Sequence, residues 1–211
     1  MKRIDCFVPF VSEDQVAVTA ANLRAEAEVA KVEFIDATIF KSTASVRKIA
    51  QAATAPFTMI YTKTTELSFG QFALERFLSI AEDSSAAMVY ADHFNEVDGN
   101  RAFAPVIDCQ LGALRDDFDF GSVMIYRTSA LKEAVARMNV DYEYAGLYDL
   151  RLKVSQKGSL VHINEYLYYE IETDTRKSGE KLFDYVDPKN RAVQIEMEKA
   201  CTQHLKDVGG Y

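Results

Sequence analysis

The stretch that most constrains the fold of this chain runs from Pro56 to Leu78. It opens with a short apolar run, 57–61, which has the length and composition of a buried strand. Four small or basic residues follow at once, Thr62-Lys63-Thr64-Thr65, before a helical pattern begins. In an open α/β sheet, ligands bind outside the carboxyl ends of the strands. The sequence therefore predicts a buried strand whose polar tip forms part of a binding site.

Strand and helix patterns alternate through the first half of the chain and become mixed in the second half. Alternating or continuous apolar runs predict strands at 3–10, 31–36, 57–61, 86–91, 122–127 and 160–168. Asp98-Gly99 predicts a tight hairpin turn. Helical periodicity follows Ser12 and Ser42, and covers 67–83, 130–138, 148–156 and 190–208. This order predicts an α/β fold, with a mostly parallel mixed sheet flanked by helices and an antiparallel element late in the chain.

The composition is that of an ordinary globular domain and argues against several functions. Of the 211 residues, 48% are apolar and 27% are charged. The net charge of −8 argues against a nucleic-acid partner, which would need a basic face. No apolar run approaches the ~20 residues of a membrane span. The three cysteines, Cys6, Cys109 and Cys201, form no metal or redox motif, so we expect reduced thiols and a cytoplasmic protein.

Four segments, in chain order, resemble the family 2 glycosyltransferases, which have the GT-A nucleotide-diphospho-sugar transferase fold. The segments are ATAPFTMIYTKTTELSFGQFALERF, AAMVYADHFNEVDGN, FGSVMIYRTSALKEA and YDLRLKVSQKGSLVHINEYLYYEIETDTRKS. The last is the most specific, and together they cover most of the chain. The resemblance implies a GT-A-like domain over 1–185. The C-terminal helix within 186–211 carries an apolar stripe that packs on this domain, on a second protomer or on a further domain.

The resemblance implies a function and an alternative to it. The implied activity is transfer of a sugar from a nucleoside-diphosphate sugar to a glycan or lipid-linked acceptor, as in polysaccharide biosynthesis. The alternative is a catalytically degenerate module that binds a nucleotide sugar or a glycan within a larger protein. It stays open because two acidic motifs of the family are lost. The DXD motif aligns with Thr62-Lys63-Thr64, and the catalytic Glu-Asp pair aligns with Gly146-Leu147.

The resemblance also places a donor site at the ends of the strands. The expected donor-binding residues are Pro9, Asp36, Thr62, Lys63, Thr64, Asp92 and Arg176. The leaving diphosphate develops negative charge, which a metal or a fixed cation must stabilise. We hypothesise that Lys63 replaces the usual cation, because its ammonium is a compact charge suited to phosphate oxygens. The alternative is a solvated lysine at the end of a strand.

Catalytic and metal-binding candidates come from the remaining acids. Asp149 and Asp117 are the predicted catalytic residues, because inverting transfer needs a carboxylate that takes the acceptor proton. Asp149 matches the Asp that follows the family's acidic pair, and its alternative is a structural role near a helix N-terminus. Asp116 and Glu143 are further candidates for the base. If the enzyme uses Mn²⁺ or Mg²⁺, the adjacent Asp92 and His93 are the predicted ligands.

Overall fold

A computed structural model of the protein describes residues 2–97, 99–110, 112, 114–171 and 191–210. The strands are β1 (Ile4–Phe10), β2 (Val29–Asp36), β3 (Phe57–Tyr61), β4 (Leu67–Phe69), β5 (Met88–Val97), β6 (Asn100–Ala104), β7 (Val123–Arg127) and β8 (Leu160–Ile171). The helices are α1 (Glu13–Ala25), α2 (Thr43–Ala52), α3 (Ala73–Asp83), α4 (Thr128–Ala136), α5 (Gly146–Ser155) and α6 (Arg191–Asp207). A short 3-10 turn, Ala37–Ile39, follows β2.

A mixed sheet with the order β2-β1-β3-β7-β5-β8-β4 organises the molecule, and β6 pairs with the second half of β5. Strands β1, β2, β3, β5 and β8 share one direction, whereas β4, β6 and β7 run against it. This arrangement confirms the predicted mostly parallel mixed sheet. It also brings the carboxyl ends of β1, β2 and β3 together at one edge.

Helices cover both faces of the sheet, as the nearly continuous apolar strands require. The core on one face includes Leu23 of α1 and Phe77 of α3. The core on the other face includes Ile49 of α2, Leu131 of α4 and Leu150 of α5. All five residues of β3 are buried between these two layers. The strand is therefore fixed from both sides, and its polar tip emerges at a defined place.

The last helix, α6, packs on α5 through a third apolar cluster. Tyr148 and Leu152 of α5 lie against Ala200 of α6, with Met197 and Cys201 at the margin of the cluster. In the part of the chain that the structure describes, each helix is too short or too polar to cross a bilayer. The apolar stripe expected on the last helix thus has α5 as its neighbour.

The segment after β3 differs from the prediction of one helix over 67–83. Leu67–Phe69 forms β4, which pairs antiparallel with β8, and α3 begins at Ala73. Phe72 adopts a left-handed backbone conformation, with φ at 58°, and its side chain is exposed rather than inward. The apolar spacing of Phe69 and Phe72 mimics a helix. Pairing with β8 decides the conformation of this segment instead. The local sequence pattern carries no information about that pairing.

Candidate functional site

The carboxyl ends of β1, β2 and β3 border a cleft of about 430 Å³. Pro9, Thr62, Lys63 and Thr64 line it, so the structure brings four of the predicted donor-binding residues together. Two loops complete the wall: one contributes Lys41, and the other contributes Glu143 and Tyr144. The volume lies within the range of about 300–1,000 Å³ that is typical of small-molecule sites.

Asp36 stands at the end of β2, next to this cleft, but its carboxylate is used locally. Its Oδ1 accepts hydrogen bonds from Thr38 N at 2.8 Å and from Thr38 Oγ1 at 2.7 Å. These bonds from Thr38 lower the pKa of Asp36. Asp36 therefore fixes the 3-10 turn, and the residues that line the cleft at this point are Ala37 and Thr38.

Lys63 is anchored at the cleft wall by a buried carboxylate from β8. Its Nζ lies 2.5 Å from Glu170 Oε1, and the Lys63 side chain is 25% exposed. Glu170 also accepts a hydrogen bond from Ser122 Oγ and lies 3.1 Å from His93 Nε2. Burial alone would raise the pKa of Glu170, but the hydrogen bonds from His93, Lys63 and Ser122 outweigh it and lower that pKa. Glu170 is therefore an anion at neutral pH and holds the ammonium in place.

Asp92 and His93, the predicted metal ligands, point to opposite faces of β5. Asp92 Oδ1 accepts a hydrogen bond from Val106 N and pairs with His162 Nε2 at 2.8 Å. His93 instead pairs with Glu170. Within the described residues, no three His, Cys, Asp or Glu side chains are grouped as metal ligands. Asp92 and His93 therefore do not fit one shared ion.

Asp149, the first predicted catalytic residue, is buried in α5 and lies beneath α6. Its Oδ1 is 3.9 Å from Lys153 Nζ, and Lys153 also bonds Asp207 of α6. Burial raises the pKa of Asp149, Lys153 partly opposes this, and Asp207 adds to the rise. The residues that line the cleft do not include Asp149. Its catalytic role stays a prediction.

Asp117, the second predicted catalytic residue, does not line the cleft. Asp117 forms a two-point ion pair with Arg115, at 2.8 and 2.7 Å, and hydrogen bonding to Arg115 lowers the pKa of Asp117. It borders a second cleft, of about 480 Å³, together with Asp108. Arg176 lies outside the described residues.

Gly146 gives a steric reason why the first acid of the family's pair is missing here. A Cβ at this position would lie 2.3 Å from Thr43 N and 2.4 Å from Ser42 C. Both are backbone atoms at the start of α2, which have little freedom to move aside. The space for an acidic side chain at position 146 is thus filled by the chain itself.

The loop that carries Glu143 and Tyr144 is held from two sides. On one side, Thr43 exchanges two hydrogen bonds with the backbone of Tyr142, at 2.9 and 3.0 Å. On the other side, the Glu196 carboxylate of α6 accepts hydrogen bonds from the N–H groups of 143, 144 and 145, at 3.1, 2.7 and 3.1 Å. Interaction with the adjacent Glu143 carboxylate raises the pKa of Tyr144.

Sequence reasoning named Glu143 as an alternative base and missed Lys41, Glu170 and Glu196. The polar loop before α2 was a signal for Lys41. For Glu170 and Glu196 no local signal exists, because their partners lie far away in sequence; Lys63 and Glu170 are 107 positions apart.

Comparison with known proteins identifies the fold. No family model matches the chain, and no curated protein matches it either. The solved structure of the S. aureus TarS 1-349 fragment is similar, with a TM-score of 0.56 and 10% identity over 96% of this chain and 70% of that one. Its complex with UDP-GlcNAc aligns with a TM-score of 0.54 and 10% identity over 96% of this chain and 66% of that one.

The structure of a mannosyltransferase is also similar to this chain. Mannosyltransferase PcManGT from Pyrobaculum calidifontis, in complex with GDP-Man and Mn²⁺, aligns with a TM-score of 0.52 and 8% identity, over 98% of this chain and 75% of that one. Against a longer TarS chain, this protein spans 43% of its length. At these identities the likeness shows the fold: it is the GT-A glycosyltransferase fold that the sequence resemblance implied.

Proposed function

We propose that the protein binds a nucleoside-diphosphate sugar in the Lys63 cleft and transfers the sugar to a glycan or lipid-linked acceptor. The observation that carries the proposal is the convergence of Pro9, Thr62, Lys63 and Thr64 in one cleft at the strand ends. Sheets of this class bind ligands at that edge. TarS, which shares the fold, has been crystallised with UDP-GlcNAc and with UDP, and PcManGT with GDP-Man.

Lys63 supplies the positive charge that the leaving diphosphate needs, in place of a metal held by acids. The ammonium has three N–H donors. Its bond to Glu170 fixes its position at the cleft wall, so no reorganisation is needed as charge develops on the leaving oxygen. Lys41 contributes a second lysine to the same wall. Donor binding is then independent of divalent metal, because Thr62-Lys63-Thr64 replaces the family's acidic motif.

Titration calorimetry with UDP-GlcNAc and GDP-mannose, in the presence of EDTA, tests the proposal. We expect wild-type protein to bind at least one of these donors, and Lys63→Ala to bind it at least ~10-fold more weakly, a loss of about 1.4 kcal/mol. Lys132→Ala is the matched control, because Lys132 is an exposed lysine on α4. Equal affinities for wild type and Lys63→Ala would contradict the proposal.

The second candidate is a module that binds the donor without turnover. It is favoured by the burial of Asp149 beneath α6 and by the filled space at Gly146. Release of UDP or GDP from the same two donors, with and without Mn²⁺, separates the candidates. Turnover supports the transferase, binding without turnover supports the module, and absence of both contradicts each of them.

A further inference from the structure

We propose that Glu143 takes the proton from the attacking hydroxyl, and that Glu196 of α6 positions the loop that presents Glu143. This inference rests on the proposed transfer reaction and assigns its base. It moves the catalytic carboxylate from α5, where the resemblance places it, to the loop before that helix. It also makes α6 part of the functional unit.

Glu143 has the position that a base for this reaction needs. Of the described residues that line the cleft, it is the sole acid, and it shares that cleft with Lys63. Its side chain is exposed, so an incoming hydroxyl can reach the carboxylate. The loop that carries Glu143 is held by Glu196 on one side and by Thr43 on the other. Charge stabilisation for the leaving group and a proton acceptor thus lie in one cleft.

The other candidate acids are committed to different partners. Asp149 is buried beside Lys153, with Asp207 of α6 bound to the same ammonium. Asp117 is paired with Arg115 at the second cleft. Neither of them lines the cleft that holds Lys63.

The step is balanced with these groups alone. The oxygen of the attacking hydroxyl forms a bond to the anomeric carbon, and its proton passes to the Glu143 carboxylate. The bond between the anomeric carbon and the diphosphate oxygen breaks, and its electron pair stays on the departing nucleotide. Lys63 stabilises the resulting charge. Water can act as the attacking hydroxyl, which makes hydrolysis of the donor a probe of the same step.

Glu196 positions Glu143 through the backbone. One carboxylate accepts three successive N–H groups, from 143, 144 and 145, at the start of α5. Charge-assisted bonds of this kind are stronger than neutral ones, and a carboxylate is favoured at a helix N-terminus. With Thr43 on the opposite side, the loop is clamped between α2 and α6. Removal of the Glu196 carboxylate frees one side of this clamp.

The test measures two quantities for each variant: the rate of UDP release from UDP-GlcNAc in water, and donor affinity by calorimetry. If wild type prefers GDP-mannose, that donor replaces UDP-GlcNAc. We expect Glu143→Gln to lower kcat about 100-fold, the loss typical of removing a general base, with donor affinity kept within about twofold. Glu198→Gln, at an exposed position of α6, is the control and keeps the wild-type rate.

Glu196 is tested by a split between kcat and KM. We expect Glu196→Ala to lower kcat about 10-fold with KM for the donor unchanged, because the base is displaced while the Lys63 wall stays intact. Glu196→Gln keeps one acceptor oxygen and restores most of the rate. A merely structural role would reduce the amount of folded protein, which far-UV circular dichroism reports, and would leave kcat per folded molecule unchanged.

The outcomes separate the two proposals. A wild-type rate for Glu143→Gln contradicts the assignment of Glu143 as the base. A wild-type rate for Glu196→Ala contradicts the positioning role of Glu196. Wild-type protein that binds donor without releasing UDP or GDP overturns Glu143 as a base and leaves donor binding standing. Wild-type protein that neither binds nor turns over either donor overturns the proposed function, and the inference with it.

Discussion

Two lysine–carboxylate pairs stabilise different parts of this molecule. At the cleft wall, Lys63 lies 2.5 Å from Glu170 and its side chain is 25% exposed. Beneath α6, Lys153 lies 3.9 Å from Asp149 and its side chain is 5% exposed. The groups are alike, but one lysine faces a cleft and the other is enclosed between two helices. Position in the fold, rather than residue type, decides which lysine lines a cleft and which is enclosed.

The two carboxylates also differ in their proton affinity. Burial alone raises the pKa of each, yet the pKa of Glu170 is lowered and that of Asp149 is raised. Glu170 has three hydrogen-bonding partners, His93, Lys63 and Ser122. Asp149 has the more distant Lys153 as its cation, and the like negative charge of Asp207 raises its pKa further. The hydrogen-bond donors around Glu170 therefore account for the opposite directions of the two pKa shifts.

The largest expected effect comes from removing the enclosed lysine. Lys153→Ala leaves Asp149 buried without its cation and next to Asp207, so we expect the free energy of unfolding to fall by about 3 kcal/mol. Lys157→Ala, at an exposed position just after α5, should change it by less than about 0.5 kcal/mol. Urea denaturation followed by circular dichroism measures both.

Removing the lysine at the cleft wall, Lys63→Ala, should cost less stability than Lys153→Ala. Its ammonium is partly in solvent, and Glu170 keeps Ser122 and His93 as partners, so we expect a smaller loss of about 1 kcal/mol. The main effect of this variant is on donor affinity. Equal losses of stability for Lys63→Ala and Lys153→Ala would show that the two pairs have the same structural role.

Much of the fold follows from local patterns in the sequence. The five buried residues of β3 are bounded by polar residues on its carboxyl side, and Ser12 has the capping geometry that its spacing with Gln15 predicts. β4 was missed because three residues carry too little pattern, and its existence depends on the edge of β8. Helix α5 begins at Gly146, two residues earlier than predicted, since its first turn packs on the chain before α2.

The candidate site was predictable to the extent that it depends on strand ends. Pro9 and Thr62-Lys63-Thr64 meet because parallel strands bring their carboxyl ends to one edge. The partners that fix the site are distant in sequence: Glu170 holds Lys63, and Glu196 holds the loop of Glu143. Asp149 was favoured by alignment, which gives no information on which side of α5 faces the cleft.

A smaller effect tests the difference in pKa directly. The lowered pKa of Glu170 gives stability that is present above the usual Glu pKa of about 4.3 and is lost as pH falls through the folded-state value. The raised pKa of Asp149 gives stability that is present below the usual Asp pKa of about 3.9 and is lost as pH rises through the folded-state value.

We therefore expect opposite trends for two isosteric variants. The stability advantage of wild type over Glu170→Gln should shrink as the pH is lowered from 7 towards about 3.5. The advantage of wild type over Asp149→Asn should grow over the same interval. Urea denaturation at a series of pH values measures both differences. If both stability differences changed in the same direction with pH, the proposed contrast between Glu170 and Asp149 would be wrong.

The central claim is that the Lys63 cleft binds the donor diphosphate, and a crystal structure with UDP-GlcNAc, grown in EDTA, tests it most directly. The account predicts diphosphate oxygens within hydrogen-bonding distance of Lys63 Nζ, with Glu170 still paired to the lysine and the sugar directed towards Glu143. A nucleotide bound elsewhere, as in the cavity of about 530 Å³ beside Arg151, with Lys63 making no contact to it, would contradict the account.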